Sequence, residues 1–219
     1  MKKIFHLLYP LPLLLMVFFV QVVSLLCNFT IYNVQTLLVI LAWIPLMGSH
    51  STYAKRYPPQ YAKFQLFSSK EERIINEYDN SILYNDFIID SLFNILDGYC
   101  SKHINTTSSA LYFADHGENV YDENDQVGHT YSGVLPKVNV EIPFIVWLSP
   151  YFRSLYPQKQ EIMLNNRNRP FVNDDLFHVV IDLNNIDCDL FIKERSLFHP
   201  EFNFERRRIL EDGHDYDLR

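Results

Sequence analysis

Apolar and polar positions divide this chain into a hydrophobic head and a mixed body. Leu11–Cys27 (LPLLLMVFFVQVVSLLC) is almost wholly apolar, with Lys2 and Lys3 in front of it. At about 1.5 Å per residue, a helix from Ile4 to Cys27 covers the ~30 Å hydrocarbon core of a bilayer. The leading lysines set a cytoplasmic start, and Pro10 and Pro12 fall in the first turns, where proline is best tolerated. Asn28-Phe29-Thr30 interrupts the run, and Val34–Leu46 (VQTLLVILAWIPL) resumes it. This second run is either a second span or a buried strand, because Leu37–Ile44 is short and rich in β-favouring residues. A cleaved signal peptide is the alternative for the head, but the run is long and Ser24–Cys27 makes a poor cleavage site.

The body alternates in period. Ser49–Phe67 reads as a loop, and Pro58-Pro59 forbids a helix there. Ile75, Tyr78, Ile82, Ile89, Leu92 and Leu96 recur at helical spacing and predict a helix over Glu71–Tyr99, closed by Asp97-Gly98. Ser109–Ala114 (SALYFA) and Val140–Leu148 (VEIPFIVWL) predict strands. Asn173 or Asp174 caps a helix carrying Leu176, Val180, Leu183 and Ile186. Alternating strands and helices predict an α/β layered body behind an N-terminal apolar, transmembrane helix. In such sheets ligands collect beyond the carboxyl ends of strands, and Asp115 and His116 stand at such an end. The charged run Glu205-Arg206-Arg207-Arg208 reads as solvated surface.

Charge sharpens the division. No Asp, Glu, Lys or Arg lies between Lys3 and Lys55, and all 26 acidic residues follow that gap. The net charge of −7 excludes a nucleic-acid binder built on a basic face. Aromatic content of 15% excludes a disordered chain. Of three cysteines, Cys27 is in the head, whereas Cys100 and Cys188 either pair in an oxidising compartment or remain free thiols. Free thiols are the plainer expectation.

The candidate chemistry sits in the adjacent pair Asp115 and His116, with Gly117 after them. A carboxylate oxygen and an imidazole nitrogen are ordinary zinc donors. Gly117 permits a sharp turn that aims both side chains at one point. His129 follows across an acidic, Asn-rich loop able to fold back over that point. The same Asp115/His116 pair also reads as a hydrogen-bonded strand end.

Leu111–Phe152 (LYFADHGENVYDENDQVGHTYSGVLPKVNVEIPFIVWLSPYF) resembles the catalytic core of bacterial phosphoethanolamine transferases, of the sulfatase/alkaline-phosphatase-like superfamily. Met47-Gly48-Ser49-His50 through Arg56-Tyr57-Pro58 is similar to the family's G-x-H…RYP segment. Tyr78-Asp79-Asn80-Ser81-Ile82-Leu83-Tyr84 resembles its Y-D-N-S-I-x-Y helix. The likeness extends over about 46–186. It implies a partial alkaline-phosphatase/sulfatase-like α/β fold, zinc on Asp115 and His116, and His50 and His129 around a transferring phosphoryl group. It further implies anchorage in the bacterial inner membrane, with the soluble part facing the periplasm. The expected partners are phosphatidylethanolamine as donor and lipid A or lipopolysaccharide core as acceptor, joined through a covalent phospho-threonine.

Two departures modify that expectation. The family's threonine nucleophile lies upstream of the G-x-H segment, and no threonine here matches it: Thr30 and Thr36 sit in apolar sequence, and Thr52, Thr106 and Thr107 are misplaced. Pro45 stands where the family often has the first histidine of H-x-x-G-x-H. The expectation is therefore an apolar leader over residues 1–45, with one or two membrane spans, and the C-terminal part of a sulfatase-like catalytic domain over 46–219. The alternatives are a sulfatase-like hydrolase on the same scaffold and a non-catalytic membrane remnant or interaction protein.

Overall fold

The computed structural model describes residue 44 and residues 46–129, 135–210 and 212–218. The apolar leader over 1–45 lies outside these, Ile44 excepted. Among the described residues no helix is long and apolar enough to cross a membrane. The described chain divides into two compact units, Met47–Pro157 with Arg207–Arg219, and Gln158–Arg206.

The first unit is organised by a long helix, α1 (Lys70–Lys102). Ser69 caps it, accepting from the Glu72 amide, while the Glu72 carboxylate reaches back to the Ser68 amide and hydroxyl. The expected stop at Asp97-Gly98 is not a stop. Gly98 costs a helix interior about 1 kcal/mol, and the turn beyond it continues to His103, whose amide bonds Tyr99 and Cys100 carbonyls. Packing of Cys100 (buried) supports that extra turn.

After α1 come β1 (Ser109–Phe113), β2 (Asn119–Val120), β3 (Val127–Gly128) and β4 (Phe144–Leu148). β1 pairs antiparallel with β4, from Ser109 opposite Leu148 to Phe113 opposite Phe144. β2 and β3 form a separate two-residue antiparallel ladder. The expected strand over Val140–Leu148 is thus shorter, because Lys137–Asn139 is a 3-10 turn and Val140 ends it. Asn85 in α1 donates to the Tyr112 hydroxyl at 2.8 Å, tying the helix to β1. Ser149 then caps α2 (Pro150–Leu155), with Pro150 at the first helical position.

The charged run is exposed at Glu205 and Arg207 and half-buried at Arg206 and Arg208. Arg207 pairs with Asp215 at 2.7 Å and Arg208 with Asp217. The Arg208 guanidinium also covers the Tyr216 ring, 4.3 Å from its centre. Cys100 is a free thiol, so it does not pair with Cys188.

The second unit holds α3 (Pro157–Asn166) and α4 (Leu176–Leu183). α4 begins after a 3-10 turn over Asn173–Asp175, and no side chain caps it. Ile186 lies beyond its end, yet packs with Phe177 and Phe191 against Ile181 and Cys188. Arg206, the first arginine of the charged run, pairs with Asp174 at 2.7 Å and with buried Asp175 at 2.9 Å.

His178 in α4 is buried and accepts the Ile192 amide on Nδ1 at 3.2 Å. Burial, then Arg195, lower its pKa, against an opposing pull from Asp175 and Asp174. The folded unit therefore favours neutral imidazole. Its stabilisation is complete above the ordinary histidine value of about 6.5 and is lost as pH falls through the lowered folded value. Urea midpoints should drop below about pH 6.5, and His178→Gln should flatten that slope. An unchanged slope in the variant would refute the assignment.

Candidate functional site

β1 delivers the chain to Ala114, and the Asp115–Gly117 turn follows at once. The Gly117 amide donates to the Asn139 carbonyl at 2.8 Å. A Cβ on Gly117 would lie 1.9 Å from the Val138 carbonyl oxygen. Glycine is needed here for close approach to the 137–139 turn, and Gly117 makes that approach without a positive φ. The strand end is set by an antiparallel partner and this backbone contact, rather than by the crevice of a parallel sheet.

The turn gathers His116 and Glu118 with His129, which directly follows β3. Ligand atoms of the three lie within 4.8 Å of one another. His116 and His129 ring centres are 4.1 Å apart. His116 Nδ1 lies 2.8 Å from the Gly117 carbonyl, which can only accept, so Nδ1 carries the proton and Nε2 keeps the lone pair. Asp115, the partner the sequence assigns to His116, turns its carboxylate outward. It is 90% exposed, with Oδ2 3.9 Å from His116 Nε2. His50 is exposed, its ring edge-on to His129 with centres 6.2 Å apart. All four residues singled out from the sequence thus converge on one region, with His116 and His129 closest and Asp115 and His50 at its margin.

Glu118 and Tyr53 also join this cluster, and sequence reading singled out neither. The Glu118 side chain is 8% exposed, with Oε2 3.0 Å from His129 Nδ1. Its Oε1 accepts the Tyr53 hydroxyl at 2.6 Å. Tyr53 packs edge-on against Tyr78, ring centres 5.2 Å apart. Burial and then Glu118 push the Tyr53 phenol above its ordinary range. Tyr78 is pushed up to about 12 by burial, then by Glu118 and Asp122. Both phenols thus stay protonated beside the carboxylate. The signal available in sequence was the fourth residue of Asp-His-Gly-Glu, but nothing local marks Tyr53, 65 positions away.

Two motif residues hold the surroundings. Arg56 donates to the His50 and Ser51 carbonyls at 2.9 Å each, fixing the turn that carries His50. Buried Asn80 accepts the Lys63 and Phe64 amides and donates to the Phe64 carbonyl, pinning the loop to α1. The donor set of two imidazoles and the exposed Asp115 carboxylate fits zinc by ligand chemistry.

Residues 40–186 match the sulfatase family. Phosphoethanolamine transferase EptA of Salmonella typhimurium is 28% identical over 163 residues, covering 70% of this chain and 29% of that protein. Phosphoethanolamine transferase EptC of Escherichia coli is 28% identical over 186 residues, covering 76% of this chain and 29% of that protein. The crystal structure of the C-terminal periplasmic domain of the Escherichia coli EptC superposes with a TM-score of 0.64 at 28% identity, over 78% of this chain and 50% of that domain. The chain therefore spans under a third of the length of these two relatives and half of the solved domain.

Proposed function

The chain belongs to the sulfatase family, with a partial α/β fold of that type and distant homology to bacterial phosphoethanolamine transferases, and from that premise we infer that it carries the metal-and-histidine side of a phosphoethanolamine transfer site. The observation that supports this reading most is the convergence of His116, Glu118 and His129, with Asp115 and His50 beside them. The donor is phosphatidylethanolamine and the acceptor lipid A or lipopolysaccharide core. The site belongs to residues 46–219, behind an apolar leader over 1–45, and faces the periplasm from the inner membrane.

Asp115 and His116 would hold the ion, His116 through Nε2, with His129 as a third ligand through its Nε2. Bound zinc offsets charge on phosphoryl oxygens and lowers the pKa of a coordinated hydroxyl. His50 stands where an imidazole holds the phosphoryl oxygens or gives a proton to the leaving alkoxide. The Tyr53 and Tyr78 rings exclude water behind the Glu118 carboxylate, which strengthens each polar contact in front of it.

Calorimetry of the full chain in detergent tests the reading. Zn²⁺ should bind, and His116→Ala should lower its affinity by about 10-fold or more. Soluble phosphoethanolamine should then perturb the His50 and His129 NMR signals only when zinc is present. Equal zinc affinity in His116→Ala would overturn the metal assignment. Perturbation by an aryl sulfate ester and not by phosphoethanolamine would replace the transferase with a sulfatase-like hydrolase.

A further inference from the structure

Both oxygens of the buried Glu118 carboxylate are taken by protein donors. An ionised carboxylate only accepts, so the Tyr53 hydroxyl donates to Oε1 and His129 Nδ1–H donates to Oε2. That fixes the proton of His129 on Nδ1 and leaves Nε2 as its free lone pair. His116 is in the same tautomer for a parallel reason, the Gly117 carbonyl behind its Nδ1. Two imidazoles whose ring centres are 4.1 Å apart are thus each backed by an acceptor and each left with Nε2 unprotonated.

We propose that Glu118 and Tyr53 are positioning residues for His129, Glu118 orienting the imidazole and fixing its tautomer, and Tyr53 holding the carboxylate that does so. With its oxygens so engaged Glu118 is not itself a metal ligand; it stands behind one, in the manner of carboxylates that orient ligating histidines. Tyr53 is suited to the task. It is buried, lies in the 3-10 turn Tyr53–Lys55 and packs against Tyr78. It also lies three residues after His50 in the turn that Arg56 clamps, so one hydroxyl links the His50 turn to the Asp-His-Gly-Glu turn. The proposal rests on the functional reading above only for what His129 then does.

Long-range ¹H–¹⁵N correlation of the ¹⁵N-histidine-labelled full chain in detergent tests it, above the ordinary histidine range so that imidazoles are neutral. Wild-type His129 should show Nδ1–H with bare Nε2. Glu118→Leu removes both acceptor oxygens and should lower the Nδ1–H to Nε2–H ratio by about 10-fold, the effect of losing a hydrogen bond to a charged group. Glu118→Gln should keep the wild-type tautomer, because the amide oxygen still accepts from Nδ1–H while the Tyr53 hydroxyl turns to accept from the amide nitrogen. A carboxylate that only filled space would not separate the two variants. A wild-type His129 protonated on Nε2 overturns the proposal whether or not any variant folds, and so does a folded Glu118→Leu with an unchanged ratio. Co²⁺ affinity is the second arm: Glu118→Leu and Tyr53→Phe should each lose about 10–100-fold. A shifted tautomer with unchanged affinity supports the positioning role and overturns the metal reading. Lost affinity with an unchanged tautomer does the reverse.

Discussion

Gly117→Ala is expected to destabilise the first unit by about 3 kcal/mol and to abolish zinc binding. The added Cβ would stand 1.9 Å from the Val138 carbonyl oxygen and 2.9 Å from its carbon, well inside contact distance. These are backbone atoms, so no side-chain rotation relieves the clash. Either the Asp115–Gly117 turn or the 137–139 turn must move. Both moves break the 2.8 Å bond from the Gly117 amide to the Asn139 carbonyl, at a further cost of about 1 kcal/mol. They also break the bond from the Val138 amide to the Glu123 carboxylate at 2.9 Å, if the second turn yields. His116 moves with its neighbour, because its Nδ1 is held by the Gly117 carbonyl itself. Gly98→Ala is the matched control: a Cβ there meets nothing within 4 Å, and alanine favours a helix interior by up to about 1 kcal/mol. Urea denaturation followed by circular dichroism, with zinc calorimetry on the same samples, checks both. A Gly117→Ala protein as stable as wild type would show that the close approach does not exist in solution.

How much of this was legible in the sequence follows the range of each interaction. α1 and β1 were legible because their signals are local: apolar positions at helical spacing, and a short apolar run before a polar turn. The end of α1 was not, because a helical glycine is opposed only weakly and tertiary packing of Cys100 decides the matter. α2 and α3 went unread since Pro150 and Pro157 look like breakers, although proline at a first helical position is a start signal, and Ser149 before it is a cap. Asp115, His116, His129 and His50 were legible through residue type and resemblance to a motif. Which of them lie closest was not. Asp115 faces outward and Glu118 faces inward because the turn is fixed by Gly117 against the 137–139 backbone, a contact more than 20 residues distant that no local pattern encodes. The Tyr53–Glu118 hydrogen bond is longer in range still.

Asn119→Ala is expected to cost about 3 kcal/mol and to weaken zinc binding by about 10-fold or more. Asn119 is 1% exposed and uses its whole side-chain capacity. Its Nδ2 donates to Asn124 Oδ1 and to the Gln126 carbonyl, each at 2.7 Å. Its Oδ1 accepts the Asp122 and Glu123 amides, each at 3.2 Å. The ladder it closes, β2 with β3, has only two residue pairs, and so short a hairpin does not stand alone in water. The acidic, Asn-rich loop is folded around this one amide: Asp122 Oδ2 accepts the Val120 amide and Glu123 Oε1 accepts the Val138 amide. With alanine at 119 those four bonds are lost together and the loop opens. His129 follows Gly128, the last residue of β3, so opening the loop releases the far end of the site while leaving its chemistry intact. Asp125→Ala, an exposed change in the same loop, should stay within about 0.5 kcal/mol of wild type and bind zinc normally. If the two variants behaved alike in urea denaturation and in zinc calorimetry, the Asn119 amide would not be what holds His129 against Glu118, and the loop would owe its shape to the backbone alone.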